Sequence, residues 1–264
     1  MEDYLLLELP DFKPDYKKRA KYGYQNLKEK EKLQNVLKEC SRGYCMYCYS
    51  RIFVDGKMYG QLEHAIEKNN APELIECIPN IGLACSKCNS SFKRKGENNR
   101  KIEPCMIQKF QTQVKCRNGV RKQCRVACKS LLSLQKTYSD RKEARIILQP
   151  MGIHGKVTGE KLELQYDVLK AEFEPAFQRH TYDQKEIAFI QEHILRFHLN
   201  DPVFKTHQLQ DFVRTAIDNG GKLPKYEYNN LVVELFADKI KDRTQQEILK
   251  ICEGIYLAGF LTSQ

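Results

Sequence analysis

Two pairs of cysteines carry the clearest chemistry in the sequence. Cys45 and Cys48 form one Cys-x2-Cys pair, and Cys85 and Cys88 form a second pair farther along the chain. Each pair can turn both of its sulfurs toward one ion, and four thiolates satisfy the tetrahedral coordination of a closed structural zinc site. The spacing therefore predicts one structural Zn²⁺, with four free thiols in a reducing compartment as the alternative.

A possible hydrolytic centre lies between the two cysteine pairs. Glu63 and His64 belong to an alternating run, residues 59–66, which predicts a strand. A second apolar stretch, residues 81–84, leads into the second pair, and the polar, basic residues that follow predict a short helix that ends at Gly96. An imidazole can activate water and a carboxylate can bind Mg²⁺, which are the needs of phosphodiester hydrolysis. An isolated Glu-His pair is usually only a polar pair on a strand, but the flanking cysteines favour a catalytic interpretation.

Residues 41–97 resemble the HNH nucleases, the ββα-metal class, in the form that cysteine-bound zinc stabilises. The resemblance implies that His64 is the general base and that Asn80 holds it in orientation. It also implies that Glu63 and Asn89 bind a catalytic Mg²⁺ or Mn²⁺. The implied activity is that of a metal-dependent endonuclease that hydrolyses phosphodiester bonds of nucleic acid, with DNA the favoured substrate.

The sequence departs from the family pattern at one position. The family usually has a lysine three residues after the position that Asn89 occupies, whereas this chain has Phe92 there. The first lysine, Lys93, comes one residue later. The displacement leaves the role of this lysine open.

The excess positive charge of the chain lies in one segment next to the motif. Residues 93–129 hold twelve Lys or Arg against two acidic residues, a surplus equal to the net charge of +10 of the whole chain. Such a segment attracts phosphates through counterion release, although a charge run is more often only a solvated face. Its position predicts contacts with DNA, or with tRNA or another RNA, at Lys93, Arg94, Lys95, Arg100, Lys101, Arg117, Arg121, Lys122 and Arg125.

Four more cysteines lie in the basic segment, namely Cys105, Cys116, Cys124 and Cys128. If residues 121–132 are helical, Cys124 and Cys128 lie one turn apart and could share a second zinc. Buried or free thiols are the favoured interpretation, because only this one pair approaches the spacing of metal ligands.

The pattern along the chain predicts the α+β class, with a zinc-stabilised ββα-metal (HNH) nuclease core and a mainly helical C-terminal domain. Residues 1–40 form a helical lead-in, residues 41–97 the nuclease core and residues 98–140 the basic cysteine-containing segment. Residues 141–264 begin with short strands and continue as helices.

The C-terminal part offers several local signals. Residues 145–149 and 161–166 are predicted to pair as a hairpin. Helix starts are predicted at the capping boxes Thr181-x2-Gln184 and Thr244-x2-Glu247 and at Asp201-Pro202. The histidines of this part are expected at the surface or the edge of the core rather than on a metal; they are His180, His193, His198 and His207.

The chain lacks an apolar run long enough for a membrane span, and its acidic N-terminus does not look like a secretory signal. The cysteines therefore indicate metal binding in a reducing compartment, and we expect a cytoplasmic protein without membrane contact.

The motif with its helical extension is similar to the HNH subunits of bacterial anti-phage systems, such as the Septu and retron-associated nucleases. That similarity implies an effector nuclease of a defence complex whose ATPase subunit docks on the helical half. A restriction or homing nuclease is the alternative with the same chemistry. A non-catalytic, zinc-stabilised nucleic-acid-binding module and a scaffold subunit are the alternatives from other classes.

Overall fold

The structure, a computed structural model, describes residues 3–112, 124, 127–204 and 207–262. Within these ranges it combines α-helices with small antiparallel sheets, in agreement with the α+β class. None of the described helices is long and apolar enough to cross a membrane. The strands are β1 (Leu6–Glu8), β2 (Phe53–Val54), β3 (Lys57–Met58), β4 (Gly60–His64), β5 (Ile81–Cys85), β6 (Leu164–Asp167) and β7 (Glu172–Pro175). The α-helices are α1 (Leu27–Cys40), α2 (Pro104–Thr112), α3 (Lys129–Ser139), α4 (Gln184–Arg196), α5 (Gln208–Asp218), α6 (Leu231–Ile240) and α7 (Gln245–Thr262).

Two paired strands lie between the first cysteine pair and the second, and a short helical turn that contains Cys88 follows them. Strands β4 and β5 pair antiparallel, with Leu62 opposite Leu83. The turn Lys87–Phe92 comes directly after β5 and has π-helical hydrogen bonding. Gly96 has a φ of 73°, and a side chain in its place would overlap the Glu143 carboxylate. The two strands and the short helix are thus confirmed, because each depends on local pattern. The predicted end at Gly96 is wrong, because the helical turn already ends at Phe92 and Gly96 precedes the next turn, Glu97–Arg100.

The predicted helical lead-in, residues 1–40, is helical only in its last part. Helix α1 begins only at Leu27, where the Asn26 side chain accepts a hydrogen bond from the Glu29 amide. Before it, Tyr16 and Tyr22 are buried with their ring centroids 5.1 Å apart. Burial of these two rings against the core overrides the helical propensity of residues 15–26.

Strand β1 belongs to a three-stranded sheet with the C-terminal half of the chain, in the order β1-β6-β7. Leu7 lies opposite Tyr166, which in turn lies opposite Phe173, and all three side chains are buried. The start of the predicted lead-in and the start of the predicted C-terminal part therefore share one sheet.

The predicted hairpin of residues 145–149 with 161–166 is wrong. Only β6 is a strand, and its partners are β1 and β7. Residues 145–149 run through the core without a strand partner, and the Ile147 amide donates to Nδ1 of His193 at 3.0 Å. A buried apolar run can thus be irregular when a side chain satisfies its backbone.

The predicted capping box of α7 is confirmed, whereas that of α4 is shifted. The Thr244 amide donates to the Glu247 carboxylate, and the Glu247 amide donates to the Thr244 hydroxyl. At α4 the reciprocal pair is Asp183 and Glu186, two residues after the predicted Thr181. A stronger acceptor, a carboxylate, takes the cap position there.

Helix α5 does not start at Asp201-Pro202. The Asp201 carboxylate accepts from the Val203 amide at 2.9 Å and so closes a short turn, while α5 begins at Gln208. It ends at Asp218, and Gly220 and Gly221 follow it with positive φ.

The start of α6 packs on the first cysteine pair. The Asn230 side chain caps α6 and also donates to the Cys48 carbonyl at 3.4 Å. The Leu231 amide donates to the Tyr49 carbonyl at 2.9 Å. These bonds fix part of the helical half against the cysteine region, while the four-part division of the chain stays a prediction.

His193 is a core histidine rather than one at the surface or edge. Its side chain is buried, and Nδ1 must be the unprotonated nitrogen because it accepts from the Ile147 amide. Burial, followed by the charge of Arg196, lowers the pKa of His193 to about 3.

This burial predicts a loss of stability in acid. Because the folded pKa lies below the unfolded value of 6.5, the unfolded state binds the extra proton between those values. The free energy of unfolding should therefore fall as the pH drops from about 7 to about 5. We expect His193→Gln, which keeps an acceptor, to reduce this slope in urea unfolding. The exposed His207→Gln serves as control, and equal slopes in the two variants would contradict the assignment.

Candidate functional site

The four cysteines of the two pairs come together in the structure. Their Sγ atoms all lie within 4.8 Å of one another, and the sulfurs of Cys48 and Cys85 are 3.7 Å apart. A tetrahedral zinc with bonds of about 2.3 Å needs sulfurs about 3.8 Å apart. The predicted grouping is thus confirmed, and Cys45, Cys48, Cys85 and Cys88 could hold a metal ion such as zinc.

Backbone amides and burial prepare these sulfurs for an ion. The Cys85 amide donates to Sγ of Cys45, and the Cys88 amide donates to Sγ of Cys85, each at 3.3 Å. Hydrogen bonds from the other thiols, foremost that of Cys45, lower the pKa of Cys85, whereas burial raises the pKa of Cys45. The two thiols thus have opposite pKa shifts. A metal cation would stabilise all four sulfurs as thiolates, because it binds them in place of the protons.

The cluster connects three elements. Cys45 and Cys48 lie in the loop after α1, which an antiparallel bridge between Tyr44 and Arg51 closes. Cys85 is the last residue of β5, and Cys88 lies in the π-helical turn. An ion on these sulfurs would tie the loop to the end of the hairpin and to the turn that follows.

The cysteines of the basic segment do not form a comparable group among the described residues. Helix α3 begins at Lys129, so Cys124 and Cys128 lie outside it. Of residues 121–132, which would have to be helical for this pair to share an ion, only residues 129–132 are helical among those that the structure describes. Cys105 is exposed, and Cys116 lies outside the described residues.

A polar cavity of about 300 Å³ lies beside the hairpin. Three of the four residues that the sequence assigns to the centre line it, namely Glu63, His64 and Asn89, and so does Lys93. Tyr24, Lys68 and Arg94 line it as well. The structure therefore brings the predicted Glu-His pair and the residues after the last cysteine to one cavity.

His64 has the protonation pattern of a base. Its side chain is 5% exposed, and Nε2 lies 3.0 Å from the Ile75 carbonyl oxygen. Because a carbonyl can only accept, Nε2 carries the proton and Nδ1 keeps its lone pair. Burial lowers the pKa of His64 to about 4, so the ring is neutral at physiological pH.

Asn80 positions the backbone next to His64 rather than the ring itself. Its buried side chain accepts from the Ile66 amide at 2.9 Å and donates to the Ile66 carbonyl at 3.0 Å. The Asn80 carbonyl also accepts from the Ala65 amide at 2.7 Å. Three hydrogen bonds thus fix the two residues that follow His64.

We predict that Asn80→Asp destabilises the fold. A carboxylate at this position loses the donor to Ile66 and adds a buried charge, so the free energy of unfolding should fall by about 1–3 kcal/mol or more. Urea unfolding measures the change. Asn69→Asp, at an exposed position nearby, should leave the free energy of unfolding within about 0.5 kcal/mol of the wild-type value. Equal losses in the two variants would show that the Asn80 side chain does not hold the backbone of Ile66.

Glu63 does not have the free oxygens that a divalent metal ligand needs. It is 2% exposed, and its Oε2 accepts from the Tyr47 hydroxyl at 2.7 Å. Its Oε1 forms an ion pair with the Lys93 ammonium. Burial raises the pKa of Glu63, and the charge of Lys93 acts against that shift. These contacts do not fit the Mg²⁺ or Mn²⁺ that the family resemblance assigns to Glu63 and Asn89.

The Asn89 side chain does not share a metal site with Glu63. Its nitrogen donates to Oε1 of Gln61, on strand β4, at 2.9 Å. The turn around it explains the displaced lysine. The Lys93 amide donates to the Cys88 carbonyl at 2.9 Å, five residues back. This wider π-helical turn brings residues four apart to the same side, so Lys93 and Asn89 both line the cavity.

The predicted nucleic-acid contacts have different environments. Lys93 and Arg100 are buried, with exposed fractions of 2% and 0%, and pair with Glu63 and Glu67. This corrects the expectation for these two residues, because their charges face internal carboxylates. Arg94, Lys95 and Lys101 are exposed. The remaining four, Arg117, Arg121, Lys122 and Arg125, lie outside the described residues.

Several site residues have no signal in the sequence. The Tyr24 ring lies edge-on to His64 with centroids 4.6 Å apart. Glu67 accepts from the Tyr138 hydroxyl at 2.8 Å and from Arg100 at 2.7 Å. These contacts join residues distant in the chain, so only the three-dimensional arrangement reveals them.

Comparison of the chain with protein-family models, with curated proteins and with solved structures finds no match. The resemblance to HNH nucleases therefore rests on the motif residues themselves. The site supplies two observations of its own, a four-cysteine cluster and a neutral histidine at the wall of a polar cavity.

Proposed function

We propose that the chain is a zinc-stabilised, HNH-type nuclease that hydrolyses phosphodiester bonds of nucleic acid with His64 as its general base. The observation that carries the proposal is the state of His64. Its Nε2 donates to a backbone carbonyl and its ring lines a polar cavity beside the cysteine cluster. The bond fixes the ring so that the basic nitrogen is the other one, Nδ1.

In the proposed reaction Nδ1 of His64 takes a proton from water, and the water oxygen attacks the phosphorus. The bond from phosphorus to the leaving oxygen then breaks, and that oxygen takes up a proton from solvent. A histidine whose pKa burial lowers to about 4 stays unprotonated and available throughout the neutral pH range.

The phosphate would meet cations at the rim of the cavity. Lys68 and Arg94 line the cavity and are exposed, and Lys95 is exposed next to them. Such side chains can bind phosphate oxygens by charge-assisted hydrogen bonds. No step is assigned to a divalent ion, because both oxygens of Glu63 already have partners.

Wild-type protein and His64→Ala, incubated with plasmid, single-stranded DNA and tRNA, test the proposal. Each substrate is tested with Mg²⁺, with Mn²⁺ and without added divalent ion. We expect only wild type to cleave, with a loss of about 10²- to 10⁴-fold in the variant and unchanged binding in a gel-shift assay. The substrate that is cut identifies DNA or RNA, and equal cleavage by both proteins would refute the role of His64.

Membership in an anti-phage complex with an ATPase subunit is proposed from the resemblance alone. In cells that carry the chain with its neighbouring genes, His64→Ala should abolish any protection against phage that wild type gives. Equal plating of phage on both strains, at equal protein levels, would argue against an effector role.

A second candidate is a zinc-stabilised nucleic-acid-binding module without catalysis. The ion pair of Glu63 with Lys93 favours it, because an engaged carboxylate is typical of a structural role. This candidate predicts salt-sensitive binding through exposed cations such as Lys95 and no cleavage of any substrate.

A further inference from the structure

Lys93 is a buried cation with a complete set of oxygen partners. Its ammonium donates to Oε1 of Glu63, to the His64 carbonyl at 2.5 Å and to the Ala65 carbonyl at 2.8 Å. An ammonium has three N–H donors, so all of them are satisfied. One carboxylate and two carbonyl oxygens thus surround a single positive charge, a set of donors that would also suit a metal ion.

The negative charges around this cation are balanced. The second oxygen of Glu63 accepts from the Tyr47 hydroxyl. The neighbouring carboxylate, Glu67, pairs with Arg100 and accepts from the Tyr138 hydroxyl. Both carboxylates at this wall of the cavity therefore already have a basic partner.

A divalent ion bound to Glu63 would lie next to the Lys93 ammonium. Repulsion between the two cations is strong in such a buried place, where little water screens it. Moving Lys93 aside would in turn leave its charge without the three oxygens that now compensate for its burial. Binding of a divalent ion to Glu63 while the Lys93 ammonium is in place is therefore unfavourable.

We infer that the Lys93 ammonium is the resident cation of this site and that Glu63 does not bind Mg²⁺ or Mn²⁺ in the native chain. The inference deepens the proposed function by naming the charge at its centre. It rests on that function only for the consequence that cleavage requires no added divalent ion.

Titration of the zinc-loaded full chain with Mn²⁺, with free Mn²⁺ followed by electron paramagnetic resonance, tests the inference without reference to cleavage. We expect wild type and Glu63→Gln to bind equal amounts of Mn²⁺. A site present in wild type and lost in Glu63→Gln would overturn it. This comparison needs no change at Lys93 and so does not depend on how that variant folds.

Lys93→Ala provides the complementary test. It should create a Mn²⁺ site that binds at least about tenfold more tightly than anything in wild type, because a carboxylate and two carbonyls are then vacated. The double variant Lys93→Ala/Glu63→Gln should lack this site, and Lys95→Ala, at an exposed position, should bind as little Mn²⁺ as wild type. Absence of a new site in a Lys93→Ala protein with wild-type circular dichroism would contradict the inference.

Cleavage assays separate this inference from the proposed function. If wild type cleaves, its rate without added divalent ion should lie within about twofold of the rate with Mg²⁺. Strict dependence on added Mg²⁺ would overturn the inference. Absence of cleavage under all conditions would count against the proposed function, and the Mn²⁺ titration would then decide the resident cation alone.

Discussion

Exchange of Cys48 for serine is expected to release the proposed zinc and to unfold hairpin β4–β5 together with the turn that follows it. The four sulfurs, all within 4.8 Å of one another, are the link between the loop after α1, the end of β5 and the π-helical turn. A structural zinc contributes about 10–16 kcal/mol in zinc-finger peptides. Even part of that is comparable to the total stability of a domain, about 5–15 kcal/mol.

Zinc content and thermal unfolding of the purified variant measure this effect. Cys105→Ser is the matched control, because Cys105 is exposed and outside the cluster. We expect the control to keep zinc and its melting temperature, and Cys48→Ser to lose both zinc and cooperative unfolding of the hairpin. A Cys48→Ser protein with the zinc content and melting temperature of the control would show that the cluster does not brace the fold.

Replacement of Arg100 by methionine is expected to lower the free energy of unfolding by about 3–5 kcal/mol. Arg100 is fully buried, and its guanidinium donates to Glu67 at 2.7 Å and to the Lys93 carbonyl at 2.5 Å. The substitution leaves the Glu67 carboxylate, whose side chain is only 11% exposed, without its cation. It also removes the bond that holds the end of the helical turn that carries Lys93.

The control is Lys101→Met at the neighbouring position. Lys101 is exposed, and its substitution removes the same single positive charge. In urea unfolding we expect it to change the stability by less than about 0.5 kcal/mol. In binding assays the order should reverse, because only Lys101 presents its charge to a ligand. Similar stability losses in the two variants would contradict the internal role of Arg100.

The elements that the sequence pattern predicts correctly depend on short-range signals. Strands β4 and β5 and the short helical turn around Cys88 follow from the residue period. The cysteine cluster is also predictable from short-range spacing. Each Cys-x2-Cys pair brings its own two sulfurs together, and zinc needs four ligands, so the two pairs are expected to share one ion.

The elements that the pattern does not predict depend on partners far along the chain. Residues 145–149 look like a strand, yet the partner of their backbone is the His193 side chain. Strand β1 pairs with β6, which lies far from it in the sequence. No local period encodes either choice, because burial against distant residues decides it.

The same distinction applies to the site. The motif places Glu63 and His64 on one strand, but the engagement of Glu63 by Tyr47 and Lys93 follows from packing. Likewise, Lys93 and Arg100 lie in a basic run that looks like a solvated surface. Their burial depends on the carboxylates of Glu63 and Glu67, which charge counting along the chain cannot pair.

The most direct test of the account is the single-turnover cleavage rate of His64→Ala relative to wild type, measured with protein in excess so that all nucleic acid is bound. The account predicts a loss of about 10²- to 10⁴-fold with unchanged affinity and unchanged zinc content, while the exposed His207→Ala retains the wild-type rate. Equal rates for His64→Ala and wild type, or no cleavage by wild type of any DNA or RNA substrate, would contradict it.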